Sequence, residues 1–255
     1  MKFATWNVNS LNVRLPHVLD WLASEKPDVL CLQETKQEDS KFPYDALKEA
    51  GYAAVHNGQK TYNGVAILSP HPIEQVQFDI PGYADEQKRI VAATINGIRV
   101  VCAYIPNGQS IDSDKYQYKL SWLEALTRWL QQEMQAHSKL MLLGDYNIAP
   151  DDRDCHDPAA WVGQVLVSEP ERQAFQKLIA LGLHDSFRLF EDASGHFSWW
   201  DYRMAGFRRN LGMRIDHILV SDALKANCVA SKIDKAPRKL ERPSDHTPVV
   251  LELAV

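Results

Sequence analysis

No apolar run in this chain is long enough to cross a bilayer. Runs such as Leu140-Met141-Leu142-Leu143 and Val249-Val250-Leu251 stop far short of the roughly 20 residues a spanning helix needs. Nor does the N-terminus carry the apolar stretch of a secretory signal; it opens on the strand-like Lys2-Phe3-Ala4-Thr5-Trp6. Cysteine is scarce: Cys31, Cys102, Cys155 and Cys228 are widely spaced, and two of them fall inside apolar strands. That pattern predicts reduced, buried thiols in a cytoplasmic protein and speaks against a disulfide framework. There is no His-x-x-x-His pair and no Cys/His cluster, which disfavours zinc. A Walker loop, a Gly-x-Ser-x-Gly elbow and a Rossmann glycine fingerprint are all missing, which weakens nucleotide-hydrolase, esterase and dehydrogenase readings. No repeat, low-complexity tract or linker divides the chain, so a single domain over 1–255 is expected.

What remains is an ordinary globular composition, 45% hydrophobic and 24% charged over 255 residues, enough to bury a substantial core. Net charge is −5, but it is uneven. Between Trp199 and Arg242 ten Lys or Arg face five acids, a local +5 that leaves −10 in the remainder. Two readings of that stretch stay open, a solvated face or a surface for a polyanion.

Short segments rich in Val, Ile and Leu and bounded by Gly, Pro, Asn or Asp predict strands. They are Lys2–Val8, Asp28–Gln33, Gly64–Ser69, Ile90–Ile95, Arg99–Ile105, Lys139–Gly144, His196–Trp200, Ile215–Val220, Ala226–Ser231 and Val249–Leu253. Helical spacing of apolar residues predicts helices over Tyr116–Gln135, from about Arg14 to Glu25, and from near Pro170, where Ser168 and Glu171 resemble a capping box and Gly182 closes the helix. Strands outnumber helices, which fits two packed sheets with helices outside them.

Three acidic residues lie where an apolar strand meets a loop: Glu34 after Asp28–Gln33, Asp145 after Lys139–Gly144, and Asp245 just before Val249. Carboxylates delivered to a sheet edge in polar company suit a metal and phosphate site. Mg²⁺ takes hard oxygen ligands and only one or two protein carboxylates, which makes Glu34 the first candidate. Asn7, at the end of the first strand, offers an amide oxygen or a phosphate donor; for either residue, bracing a loop is the alternative. In Gly144-Asp145-Tyr146-Asn147 the glycine is expected to let backbone approach a ligand. Alternation along an extended chain is expected to put Asp145 and Asn147 on one face, an Asx-turn being the alternative. Asp216 interrupts an apolar strand and needs a partner, either His246 or backbone amides. Tyr104, where Pro106 forces a turn, can face a phosphate or simply pack.

Taken in order, these segments resemble the exonuclease III family of abasic-site endonucleases, within the endonuclease/exonuclease/phosphatase superfamily. The resemblance runs from Lys2–Leu11 through Leu32–Lys36, Gly144–Pro150, Phe197–Arg203 and Arg214–Asp216 to Pro243–Val249, and so covers nearly the whole chain. It implies a four-layer α/β sandwich, two packed mixed β-sheets flanked by helices, with the active site at one edge. It also implies that Glu34 binds Mg²⁺, or Mn²⁺ in its place, with Asn7 and Asp245 close to the metal. Asp145 would activate water, Asn147, Tyr104 and His246 would hold the phosphate, and Asp216 would orient His246.

By the same resemblance Trp199, Arg203, Arg208, Met213 and Arg214 would contact DNA or hold an extrahelical sugar. The implied substrate is double-stranded DNA with abasic or 3′-blocked lesions, cut without a membrane by a monomer. Incision at abasic sites and 3′-end trimming are left unranked. A superfamily phosphatase or phosphodiesterase acting on a non-DNA substrate, and a non-catalytic nucleic-acid-binding regulator, are the alternatives. Asp145 and His246 are both expected to lie outside the packed core.

Overall fold

Strands apolar on both faces require cover on both sides, and the computed structural model, which describes residues 1–254, supplies it. In chain order the first strands are β1 (Lys2–Asn7), β2 (Val29–Gln33), β3 (Ala53–Asn57), β4 (Val65–Ser69), β5 (Glu74–Phe78), β6 (Ile90–Ile95) and β7 (Ile98–Tyr104). The rest are β8 (Leu140–Asp145), β9 (Leu183–Asp185), β10 (Trp199–Trp200), β11 (Gly212–Met213), β12 (Asp216–Ser221), β13 (Cys228–Ile233) and β14 (Val249–Leu253). The α-helices are α1 (Leu11–Glu25), α2 (Tyr44–Glu49), α3 (Asp114–Ala136), α4 (Pro158–Trp161), α5 (Glu169–Ile179) and α6 (Asp222–Lys225).

One six-stranded sheet has the order β13-β14-β1-β2-β4-β3 and the other β5-β6-β7-β8-β12-β9. Each is mixed, because β1–β2 and β7–β8 run parallel while their neighbours run antiparallel. Alternation along each strand sorts the side chains into layers. Val29 and Cys31 join Met141 and Leu143 in the core between the sheets. Leu30 and Leu32 turn outward onto Leu11, Val18 and Leu22 of α1. Leu140 and Leu142 turn the other way, onto Trp122, Leu126 and Leu130 of α3 and Phe175 of α5. The result is the expected four-layer α/β sandwich of two packed mixed sheets flanked by helices.

Several local expectations shift. Segments β3, β5 and β9 lack a strand signature because all three lie at sheet edges: β3 carries two alanines and only one large apolar residue, β5 is largely exposed, and β9 spans three residues. The strand expected over His196–Trp200 shrinks to Trp199–Trp200, which pairs with β11 and bridges through Trp199 to His246. Gly144 does not make room for a ligand. A Cβ there would lie 1.9 Å from the Ala103 carbonyl of the neighbouring β7, so the glycine serves strand packing.

Candidate active site

Parallel β1–β2 and β7–β8 end at the same rim of the sandwich where antiparallel β12 and β14 begin. The register places Tyr104 opposite Asp145 and Asp145 opposite Asp216. Asn7 bridges the two sheets: its Nδ2 donates to Glu34 Oε1 and to Asp145 Oδ2, both at 2.9 Å. The ligand atoms of Glu34, Asp145 and His246 all fall within 4.8 Å of one another. Glu34 sits in left-handed backbone at φ 53°, which turns the chain out of β2 at this point.

Asp145 and Asn147 converge, but not by strand alternation. Asn147 is left-handed at φ 50°, and its backbone N–H donates to Asp145 Oδ1 at 2.9 Å, an Asx-turn. Asn147 Nδ2 also donates to the Ile105 carbonyl (2.9 Å) and its Oδ1 accepts from Asn107 (3.1 Å). An amide nitrogen carries two protons, so one donor is left over.

His246 Nδ1 lies 2.9 Å from Asp216 Oδ2, and its Nε2 lies 3.7 Å from Asp145 Oδ2. Asp216 is braced in turn by Ser198, whose Oγ donates to Oδ2 at 2.7 Å. Burial works against a charged imidazole, but the negative charges of Asp216 and Asp145 outweigh it and push His246 up to about 10. Burial pushes Asp145 up to about 7 with help from Asp216, against the opposing pull of His246 and the Asn7 amide. Burial and the charges of Glu34 and Asp145 hold the Tyr104 phenol well above its usual range, so it stays a proton donor.

Both Asp145 (1% exposed) and His246 (4%) are buried, contrary to the expectation that they lie outside the packed core. Their polar atoms are satisfied largely by one another and by Asn7, Asn147 and Asp216.

The donor set fits a hard divalent cation. Glu34 and Asp145 bring carboxylate oxygens within 4.8 Å of one another, beside the Asn7 amide, His246 and the Lys36 ammonium 3.2 Å from Glu34. With His246 held protonated beside Asp216, the donors left are carboxylate oxygens, which suit a hard divalent cation better than zinc. Asp245 stands beside this group, its oxygens accepting from Asn9 Nδ2 (3.1 Å) and Trp199 Nε1 (3.0 Å).

The residues expected to meet DNA divide. Arg203 and Arg208 are exposed, and Trp199 is half-buried at the rim. Arg214 and Met213 are not available. Arg214 is 2% exposed, with Nε 2.7 Å from Asp154 Oδ1 and Nη2 2.7 Å from Asp185 Oδ2. Both of its charge partners are internal, so it cannot reach a phosphate. Met213 is fully buried among Ala149, Cys155, Leu166 and Ile215, with Trp199 packed against that cluster. An open cleft of about 680 Å³ adjoins the site through Tyr104 and Asn107 and continues past Arg89, Lys115 and Tyr62.

Ser198, Asn9, Asn107 and Lys36 were not anticipated, although Asn9, Lys36 and Ser198 stand inside the very motifs that named their neighbours. Each acts on a site residue through hydrogen bonds or an ion pair across the fold, and nothing in a linear spacing reveals that.

The sequence matches the model of the Endonuclease/Exonuclease/phosphatase family over residues 4–246. It is 37% identical to exodeoxyribonuclease III of Haemophilus influenzae, over 99% of each chain. The structure superposes on the 3′ phosphatase NExo from Neisseria, solved bound to a product DNA hairpin, with TM-score 0.99, 50% identity and full coverage of both chains. It also superposes on an AP endonuclease from Archaeoglobus fulgidus with TM-score 0.97, 41% identity and full coverage of both. The chain belongs to the endonuclease/exonuclease/phosphatase family, among its exodeoxyribonuclease III-like AP endonucleases.

Proposed function

We propose that residues 1–255 act as one catalytic domain, a Mg²⁺-dependent DNA repair nuclease that hydrolyses phosphate esters at abasic sites and at blocked or recessed 3′ ends. One observation carries the reading: Glu34, Asp145 and His246 converge within 4.8 Å at the rim where both sheets end. The relatives support it, since their names pair DNA incision with processing of 3′ ends.

Asp145, pushed up to about 7, is matched to take a proton from water near neutral pH. His246, kept protonated by Asp216, presents positive charge to a phosphate oxygen. The free N–H of Asn147 and the Tyr104 hydroxyl donate to the same group. Glu34, with Asn7 and Asp245 beside it, would hold the divalent cation, which supplies charge stabilisation at the leaving oxygen when bound. Arg203, Arg208 and Trp199 line the approach for the DNA strand.

Product-end mapping on three duplexes side by side tests the proposal: one with an abasic site, one with a 3′-phosphate and one with an intact recessed 3′ end. Mg²⁺-dependent hydrolysis of at least one, stopped by EDTA, is expected. No turnover of any of them, with rapid turnover of a lipid head-group phosphate instead, contradicts it.

A further inference from the structure

Behind Glu34 lies a second chain of polar contacts. Thr35 Oγ1 is 2.8 Å from His56 Nε2, and both residues are buried. His56 Nδ1 is in turn 2.7 Å from Asp39 Oδ1, an ion-pair distance whose N–H direction falls outside good hydrogen-bond geometry. A carboxylate beside Nδ1 favours the tautomer protonated there, which leaves Nε2 to accept the Thr35 hydroxyl proton. Burial holds His56 down at about 4 despite the opposing charge of Asp39, so the imidazole is neutral.

The surroundings are cut to hold this group. Phe42 stacks on the His56 ring at 4.1 Å and 22°. Gly58 and Gly64 approach so closely that a Cβ on the first would lie 2.1 Å from His56 Cε1, and on the second 2.1 Å from Thr35 Oγ1. Thr35 is flanked by two left-handed residues, Glu34 at φ 53° and Lys36 at φ 56°. Left-handed backbone is costly for residues other than glycine and persists only where the surroundings over-determine it. Backbone hydrogen bonds hold the turn from outside, with Thr35 N–H donating to the Gly64 carbonyl (3.2 Å) and Lys36 N–H to the Asn63 carbonyl (2.9 Å), and the Thr35 side chain ties it to the buried His56.

We infer that Thr35, His56 and Asp39 are positioning residues that fix the left-handed turn and so aim the Glu34 carboxylate at the metal. The inference rests on the reading of Glu34 as a metal ligand and extends it to the layer behind the ligand. Groups that orient a ligand without touching the ion govern affinity for it. A hydroxyl at 35 with an acceptor at 56 is therefore a requirement of metal binding, beyond its contribution to folding.

The test is an electron paramagnetic resonance titration of Mn²⁺ into the full chain without DNA, paired with the Mg²⁺ dependence of cleavage. Thr35→Val and His56→Phe are expected to weaken Mn²⁺ binding about tenfold or more, and to raise the Mg²⁺ half-saturation by the same factor. At saturating Mg²⁺ the kcat should stay within about twofold of wild type, because the ligand itself is intact. Thr35→Ser, which keeps the hydroxyl, should restore affinity, and Asp39→Asn at the exposed end should shift it in the same direction. A packing role alone would lower the melting temperature and leave the metal constants unmoved. Unchanged constants in Thr35→Val and Asp39→Asn overturn the inference while leaving the metal reading of Glu34 intact. Glu34→Ala separates the two: if it binds Mn²⁺ as well as wild type does, both fail.

Discussion

His246 Nδ1 stands 2.9 Å from Asp216 Oδ2, and neither side chain meets bulk solvent. The pair joins two segments that begin at the same rim, one in each sheet, so the imidazole is oriented by the sandwich itself. Asp216→Asn keeps the shape but removes the carboxylate charge, which is foremost in raising His246 to about 10. Turnover should fall about a hundredfold. The alkaline limb of the pH–rate profile should move down from near 10 toward the ordinary histidine range. A full pH profile of the variant checks both; an unmoved alkaline limb would detach Asp216 from His246.

His246→Ala should do more than stop turnover. It leaves Asp216 and Asp145 buried, like-charged and without their cation. Breaking a buried pair in this way costs about 3–5 kcal/mol. Because the folded pKa of His246 is raised, its stabilising contribution is fully present below the unfolded value near 6.5 and is lost as pH rises through about 10. Urea unfolding of wild type and His246→Ala should therefore differ most below about pH 6.5, draw together as pH rises through the neutral range, and converge above pH 10.

The basic residues should separate into two kinds. Arg208 is exposed, and Arg208→Ala should weaken binding to any DNA duplex and reduce the salt dependence by about one counterion. Arg214, locked between Asp154 and Asp185, should behave as a core residue. Arg214→Met should cost about 3–5 kcal/mol of stability, and the salt slope of DNA binding by the folded fraction should not change. Binding titrations at several salt concentrations, set beside melting curves, distinguish the two.

His217 predicts a separate acid sensitivity. Its Nδ1 meets Arg214 Nη1 at 3.1 Å and its Nε2 meets the Ile148 carbonyl at 2.8 Å. An arginine only donates, so Nδ1 accepts and the proton is on Nε2. Burial and the Arg214 charge lower His217 to about 4. The unfolded chain binds this proton below about 6.5 while the folded chain does not, so stability is lost from about pH 6.5 down to about 4 and levels off there. The His217 share of that loss should be roughly 3 kcal/mol, so His217→Leu should lose less stability over this range than wild type, the part due to His56 remaining. Melting temperatures between pH 7 and 4 check it.

Why some of this could be read from the sequence and some could not has a physical cause. A strand covered on both faces admits a carboxylate only where it leaves the sandwich, so Glu34 and Asp145 announced themselves against Leu30–Leu32 and Leu140–Leu143. Asp216 stood out for the same reason. Depth and direction were hidden. Arg214 counted as one more surface charge because Asp154, its partner, is 60 residues away in sequence. The Asn7 bridge to Asp145 spans 138 residues. Asn147 shares a side with Asp145 through a left-handed turn that no two-residue alternation predicts. Polar strands at the sheet edges, such as Glu74–Phe78, carry a weak apolar signature, here Val76 and Phe78, both exposed.

The most direct measurement of the central claim is the single-turnover rate of wild type and Asp145→Asn on a duplex carrying one 3′-phosphate and one abasic site, in Mg²⁺ and in EDTA. Wild type should process the DNA only in Mg²⁺, and Asp145→Asn should be slower by about 10³-fold while still binding the duplex. Equal rates in the two proteins, or cleavage by wild type undiminished in EDTA, would contradict the assignment of the Glu34–Asp145–His246 cluster as a metal-dependent hydrolytic site.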